Sequence, residues 1–163
     1  MKSKRNELAV RAIRLPRDRE YLDCVRDILA HPVVRRMNQY MQHGDTTCLT
    51  HCINVSYRSY RTCRRLGLNY RSAARAGLLH DLFLYDWHYH YDVTGDAFHG
   101  LTHPRKALRN ARETFALTKM EQNAILRHMW PLTLIPPRYR EAYIIIWYDK
   151  CCGFLETFHR PVY

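Results

Sequence analysis

Six residues in this chain have the types and spacing to do chemistry: His51, the adjacent pair His80-Asp81, His103, His128 and Asp149. In order they read His…His-Asp…His…His…Asp, a set of imidazoles and carboxylates suited to divalent transition metals such as iron, manganese, zinc, nickel or cobalt. A carboxylate offers two oxygens, so one aspartate can bridge a pair of ions. A single histidine near apolar residues is commonly a hydrogen-bonded structural one, but six ligand types in this order argue together. Asp81 stands within GLLHDLFL, where burying a charge is costly unless it is paired or metal-bound.

Helices must position these residues. The pattern predicts short helices over 21–30, halted before Pro32, and over 33–41, ending near His43-Gly44. A long helix follows the capping stretch 45–47 and stops at Gly67, with Leu49, Cys52, Ile53, Tyr60 and Cys63 at helical spacing. The next spans 71–85 and is apolar nearly all round, as a central helix is. Residues 86–102, polar, aromatic and histidine-rich with glycines at 95 and 100, read as a loop. Thr102 and Pro104 then open a helix to about 115, and Thr118 with Glu121 forms a capping box for the helix that carries His128. Prolines 131, 136 and 137 bracket a connection to a last helix over 138–158. Each of the five major helices thus supplies a ligand, which is how a bundle builds a metal site in its core. No strand is expected.

The chain has 163 residues, 47% apolar and 25% charged, enough for one globular domain with its own core. Its six cysteines are scattered and read as reduced thiols. The basic N-terminal stretch lacks the apolar run of a signal peptide, and no stretch of eighteen apolar residues occurs, so the cytoplasm is the expected address and no membrane span is expected. A net charge of +11 favours an anionic partner such as a nucleotide, a phosphate ester or nucleic acid, without choosing among them. The arginines are spread along the chain without a nucleic-acid-binding signature, so nucleic acid is the less favoured partner.

The segments TTCLTHCINVSY, AGLLHDLFLYDW, LTHPRKAL, ILRHMWPL and WYDKCC, within about residues 45–152, resemble the HD-domain metal-dependent phosphohydrolases, named for their adjacent His-Asp, and a small bacterial branch of them. The resemblance implies an all-α, single-domain helical bundle over 1–163, with residues 1–44 as N-terminal helices packed on the core. It implies a first metal at His51, His80, Asp81 and Asp149, and a second at His103 and His128, with Asp81 as bridge and as a catalytic residue. The expected reaction is hydrolysis of a phosphomonoester or phosphodiester by water that two cations activate. Arg58, two turns beyond His51, Arg105 and Lys106, just after His103, and Lys150, beside Asp149, are the candidates to grip phosphate. His43, Asp86, His88, His90 and His99 are candidates to donate a proton to the leaving group, with His43 and Asp86 foremost. Tyr85, Trp87, Tyr89 and Tyr91 could stack on a base or cover the core.

The chain departs from two branches of that superfamily. Its single-metal nucleotidases carry a glutamate three residues after the aspartate, where this chain has Leu84, and its cyclic-dinucleotide phosphodiesterases carry a Gly-Tyr-Pro motif that Pro104 does not complete. A third branch uses the same ligand set for a mixed-valence di-iron pair that oxidises carbon with dioxygen. The alternatives to hydrolysis are therefore a di-iron oxygenase acting on a small organic or phosphonate substrate and, last, a basic nucleic-acid-binding protein with a structural metal.

Overall fold

The computed structural model describes residues 13–85 and 99–158. Expectations placed on 86–98, including the proton-donor candidates Asp86, His88 and His90, lie outside the described residues, as does the side chain of His99. Seven α-helices stand among the described residues: α1 Arg19–Ala30, α2 Pro32–Arg35, α3 Cys48–Arg65, α4 Tyr70–Leu79, α5 His99–Thr114, α6 Lys119–Arg127 and α7 Arg140–Thr157. A 3₁₀ turn over Arg36–Gln39 leads into a small antiparallel hairpin, β1 Met41–His43 with β2 Thr46–Thr47. The all-α class expected from the sequence is what forms.

Local chemistry sets the helix ends. Asp18 accepts from the Tyr21 amide at the start of α1, Thr47 from Thr50 at the start of α3, and Asn69 from Ser72 at the start of α4. The capping box of Thr118 and Glu121 closes in both directions at α6. Gly67, at φ +66°, lets Leu68 N donate to Cys63 O at 2.9 Å and Gly67 N to Arg64 O at 3.3 Å, so α3 ends in a Schellman motif.

Helix α3 runs through the middle, packed on α4 and α7, with Leu49, Cys52, Ile53, Val55, Tyr60 and Cys63 buried. It crosses α4 so closely that a Cβ on Gly77 would lie 2.8 Å from Ser56 Cα, which leaves glycine as the residue that fits. On α7, Ile145, Asp149, Cys152 and Glu156 fall on one buried line, spaced three or four residues apart. No described helix is long and apolar enough to cross a membrane. All six cysteines are free.

Four expected boundaries differ. The helix expected over 33–41 is instead α2, the 3₁₀ turn and strand β1; paired strands of two and three residues are too short to show an alternation. The helix expected to reach residue 85 stops at Leu79, with His80 as its C-cap and Leu84 at φ 58° beyond it. An apolar run reads alike as buried helix or buried turn, so periodicity could not place that end. Helix α5 begins at His99, inside the expected loop, and Pro104 lies a full turn within it rather than at its start. His128 is the C-cap of α6 rather than part of its body.

Candidate metal centre

The fold brings all six ligand candidates to one buried place. His51, His80, Asp81 and Asp149 form one group able to hold an ion, and Asp81, His103 and His128 form a second. His51 Nε2 stands 3.1 Å from Asp149 Oδ1, and His80 Nε2 stands 3.5 Å from that oxygen and 3.4 Å from Asp81 Oδ2. Asp81 Oδ1 turns the other way, 3.3 Å from His103 Nε2 and 3.4 Å from His128 Nε2. Ligands about 2.0–2.2 Å from one ion at tetrahedral or octahedral angles are about 2.9–3.5 Å apart, so these contacts have the length of coordination-polyhedron edges. The His103–His128 edge, at 2.7 Å between Nε2 atoms, is the tightest.

Each oxygen of Asp81 thus faces a different group, and three of the four imidazoles are oriented by a bond at the far ring nitrogen. His80 Nδ1 meets Gly77 O at 2.8 Å, His128 Nδ1 meets Ile125 O at 2.8 Å, and His51 Nδ1 meets Glu156 Oε2 at 2.7 Å. A ring that gives its Nδ1 hydrogen to a carbonyl or carboxylate presents Nε2 as the ligand atom. Position at a helix end explains two of these bonds: a C-cap histidine reaches back to the carbonyl three residues earlier. His80 Nε2 and Asp81 Oδ1, both buried, make no hydrogen bond. Buried polar atoms left so are costly, and a cation between them is the partner their chemistry fits.

Electrostatics separates the two groups. Burial disfavours charge on His51, but Asp149 and Glu156 on its two sides outweigh it and push its pKa up to about 10. His80 is also raised despite burial, chiefly by Asp81. Asp81 and Asp149 are held well below the ordinary carboxylate value against burial, Asp81 mainly by His80 and Asp149 by His51 and His80. His128 goes the other way, down to about 4, because burial and its neighbours His103 and His80 overcome the pull of Asp81.

The cage forms the floor of a cavity of about 370 Å³. Asp81, His103, His128 and Asp149 line it from below, with Gln42 and His43 from the hairpin, while Met129, Phe154 and Phe158 make apolar wall. The His43 ring stands edge-on to His51 with centroids 5.1 Å apart. Burial, then the charge of His51, lowers its pKa, so it is a neutral imidazole at pH 7.

The four proposed phosphate grips part company here. Lys150 lines the cavity, with Nζ 2.5 Å from Asp149 Oδ2. Arg58, Arg105 and Lys106 do not line it. Arg58 stacks over the Tyr148 ring at 5.9 Å, because seven residues along a helix is about 10 Å beyond His51. Arg105 is exposed beside a separate basic hollow with Arg109 and Arg112, since two residues past His103 is the opposite helix face. Lys106 lies over the Tyr85 ring at 5.3 Å.

Two residues at the site had not been singled out. Gln42 donates to Asp81 Oδ2 at 2.7 Å, and Glu156 joins His51 to Asn54, whose Nδ2 donates to Oε1 at 2.7 Å. Glu156 carried a signal: it lies one heptad beyond Asp149 on the same helix face. Gln42 carried none, since a hairpin this short leaves no pattern. Compared with protein-family models, curated proteins and solved structures, the chain matches none.

Proposed function

We propose that the protein is a metal-dependent phosphohydrolase of the HD type, cleaving a phosphate ester at a two-cation site. The supporting observation is Asp81, whose two oxygens face two separate ligand groups on the floor of an open cavity. Divalent cations held there supply a water of lowered pKa and neutralise charge on the phosphoryl oxygens. The chain's own residues do the rest. His51, His80 and Asp149 would hold one cation and His103 with His128 the other, with Asp81 offering an oxygen to each. Glu156, Gly77 O and Ile125 O keep the rings turned so that Nε2 points inward. Lys150 has three N–H donors and spends one on Asp149 and one on Met129 Sδ, leaving a third for a phosphoryl oxygen. His43, neutral and on the cavity wall, is placed to take or give a proton.

The test is elemental analysis of protein purified without a metal-affinity tag, followed by phosphate release from a panel of esters with manganese. Two ions per chain and release of phosphate are expected. No bound metal, or metal without release from any ester, would sink the reading.

One observation favours a second reading. The group of Asp81, His103 and His128 is two histidines and one carboxylate, the facial set of non-haem iron oxygenases. Under that reading the protein is an HD-type di-iron oxygenase. Two irons per chain with a visible band that changes on reduction, and dioxygen uptake without phosphate release, would put it first.

A further inference from the structure

We infer that the substrate is a phosphomonoester of a flat, apolar alcohol, bound with its phosphate at the cage and its ring against the exposed faces of the Phe154–Phe158 pair. The inference rests on the phosphohydrolase reading and adds the substrate class. Phe154, in the last turn of α7, and Phe158, its C-cap, have ring centroids 4.9 Å apart and line the cavity while 66% and 59% exposed. Two large aromatic side chains left in water at the rim of a polar site mark an apolar contact for a ligand.

Several polar groups of the lining are already engaged: Gln42 Nε2 donates to Asp81, Thr157 gives its hydroxyl hydrogen to Gly153 O at 2.7 Å, and Lys150 donates to Asp149. A nucleobase brings several donors and acceptors, and a pocket wall of Met129 and two phenylalanines would strip them of water without replacement. An apolar ring suffers no such loss. Charge points the same way: among the described residues Lys150 is the one lysine or arginine in the lining, which suits a single phosphate rather than a polyphosphate. The volume, near the lower end of the range of about 300–1,000 Å³ for ligand pockets, leaves room for one ring-sized group beyond the phosphate. In the reaction a water oxygen bonds to phosphorus, the ester P–O bond breaks, and a water proton goes to the departing alcohol, giving phosphate and the free alcohol.

Binding separates this inference from the reading beneath it. Isothermal titration of the full-length, manganese-loaded protein would compare 1-naphthylmethylphosphonate with methylphosphonate and adenosine monophosphate. The naphthyl compound is expected to bind at least about tenfold tighter than either, and the F154A/F158A double variant should erase that advantage while leaving methylphosphonate binding unchanged. Equal affinities, tighter adenosine monophosphate, or an advantage that survives the double variant would overturn the inference. Turnover reads the other level. Release of phosphate from glycerol phosphate but no preference for 1-naphthyl phosphate would defeat the substrate class and keep the hydrolase, whereas ring-dependent binding without turnover of any ester would keep the pocket and defeat the hydrolase.

Discussion

Two buried polar regions of this bundle are built from similar groups and end differently. Where α1, α3 and α4 meet, Tyr21 Oη donates to Ser56 Oγ at 3.0 Å, and Ser56 passes its own hydrogen to Ala74 O at 2.6 Å. Nearby, Tyr60 and Tyr70 both donate to Glu20, and Arg75 ties Asp27 of α1 to Glu121 of α6. Each of these contacts closes within the protein. At the cage, His80 Nε2 and Asp81 Oδ1 are as deeply buried and close no hydrogen bond. Burial of polar groups is thus common to structure and function here; the cage differs in gathering six buried ligand residues at one place, with two of their facing atoms left without a hydrogen bond. Such a cluster is arranged for something the chain does not contain.

The largest effect should come from removing the residue that both ligand groups share. Asp81→Ala is expected to take metal content from two ions per chain to none, an affinity loss of more than about a hundredfold, since losing even an outer-shell partner costs about 10–100-fold. Retention of both ions by this variant, measured by elemental analysis after dialysis, would break the comparison at its centre.

Glu156→Gln probes the border between the regions. The amide keeps the size and can still accept from Asn54, but it can no longer serve as the carboxylate that orients His51. Affinity at the His51 group should fall about 10–100-fold while His103 and His128 keep their ion, and thermal stability should change little. Equal loss of both ions would mean Glu156 holds the fold rather than the ring.

On the other side, Ser56→Ala removes the hydroxyl that accepts from Tyr21 and donates to Ala74 O. That should cost about 1–3 kcal/mol, read as a lower melting temperature with metal content unchanged. Loss of metal in this variant would show that the two regions are coupled.

How far the sequence disclosed these regions follows from the same distinction. The six ligands were legible because His and Asp are uncommon in apolar helical faces, so their recurrence signals more than packing. The all-α class was legible from caps at Thr47 and Thr118 and from Gly67, which act over three or four residues. Glu156, 105 residues from its partner His51, depends on how α7 lies against α3, which no local pattern fixes. The same holds for Arg58, Arg105 and Lys106: their neighbours in sequence are ligands, but the helical rise and twist carry their charges away from the cavity. Proximity along a helix places a residue near a site only when three- or four-residue spacing also puts it on the same face and level.

The mildest test uses pH to divide the cage itself. In the metal-free protein His51 has its pKa raised to about 10, above its ordinary 6.5, so at neutral pH it carries a proton on each ring nitrogen, facing Glu156 and Asp149. A cation binding at Nε2 must displace one of them. Apparent affinity at the His51 group, where His80 is raised as well, should therefore rise with pH through neutrality and fall as pH drops. His128, lowered to about 4, is already neutral over that range and has no proton to release. Lowering the pH from 8 to 6 should thus weaken the His51 group first and leave the ion at His128 in place. Titration of manganese or zinc at the two pH values, with the proton release measured alongside, gives the order of loss. Equal weakening at both groups would mean that the carboxylates around His51, and not its ring alone, set the proton balance of the whole cage.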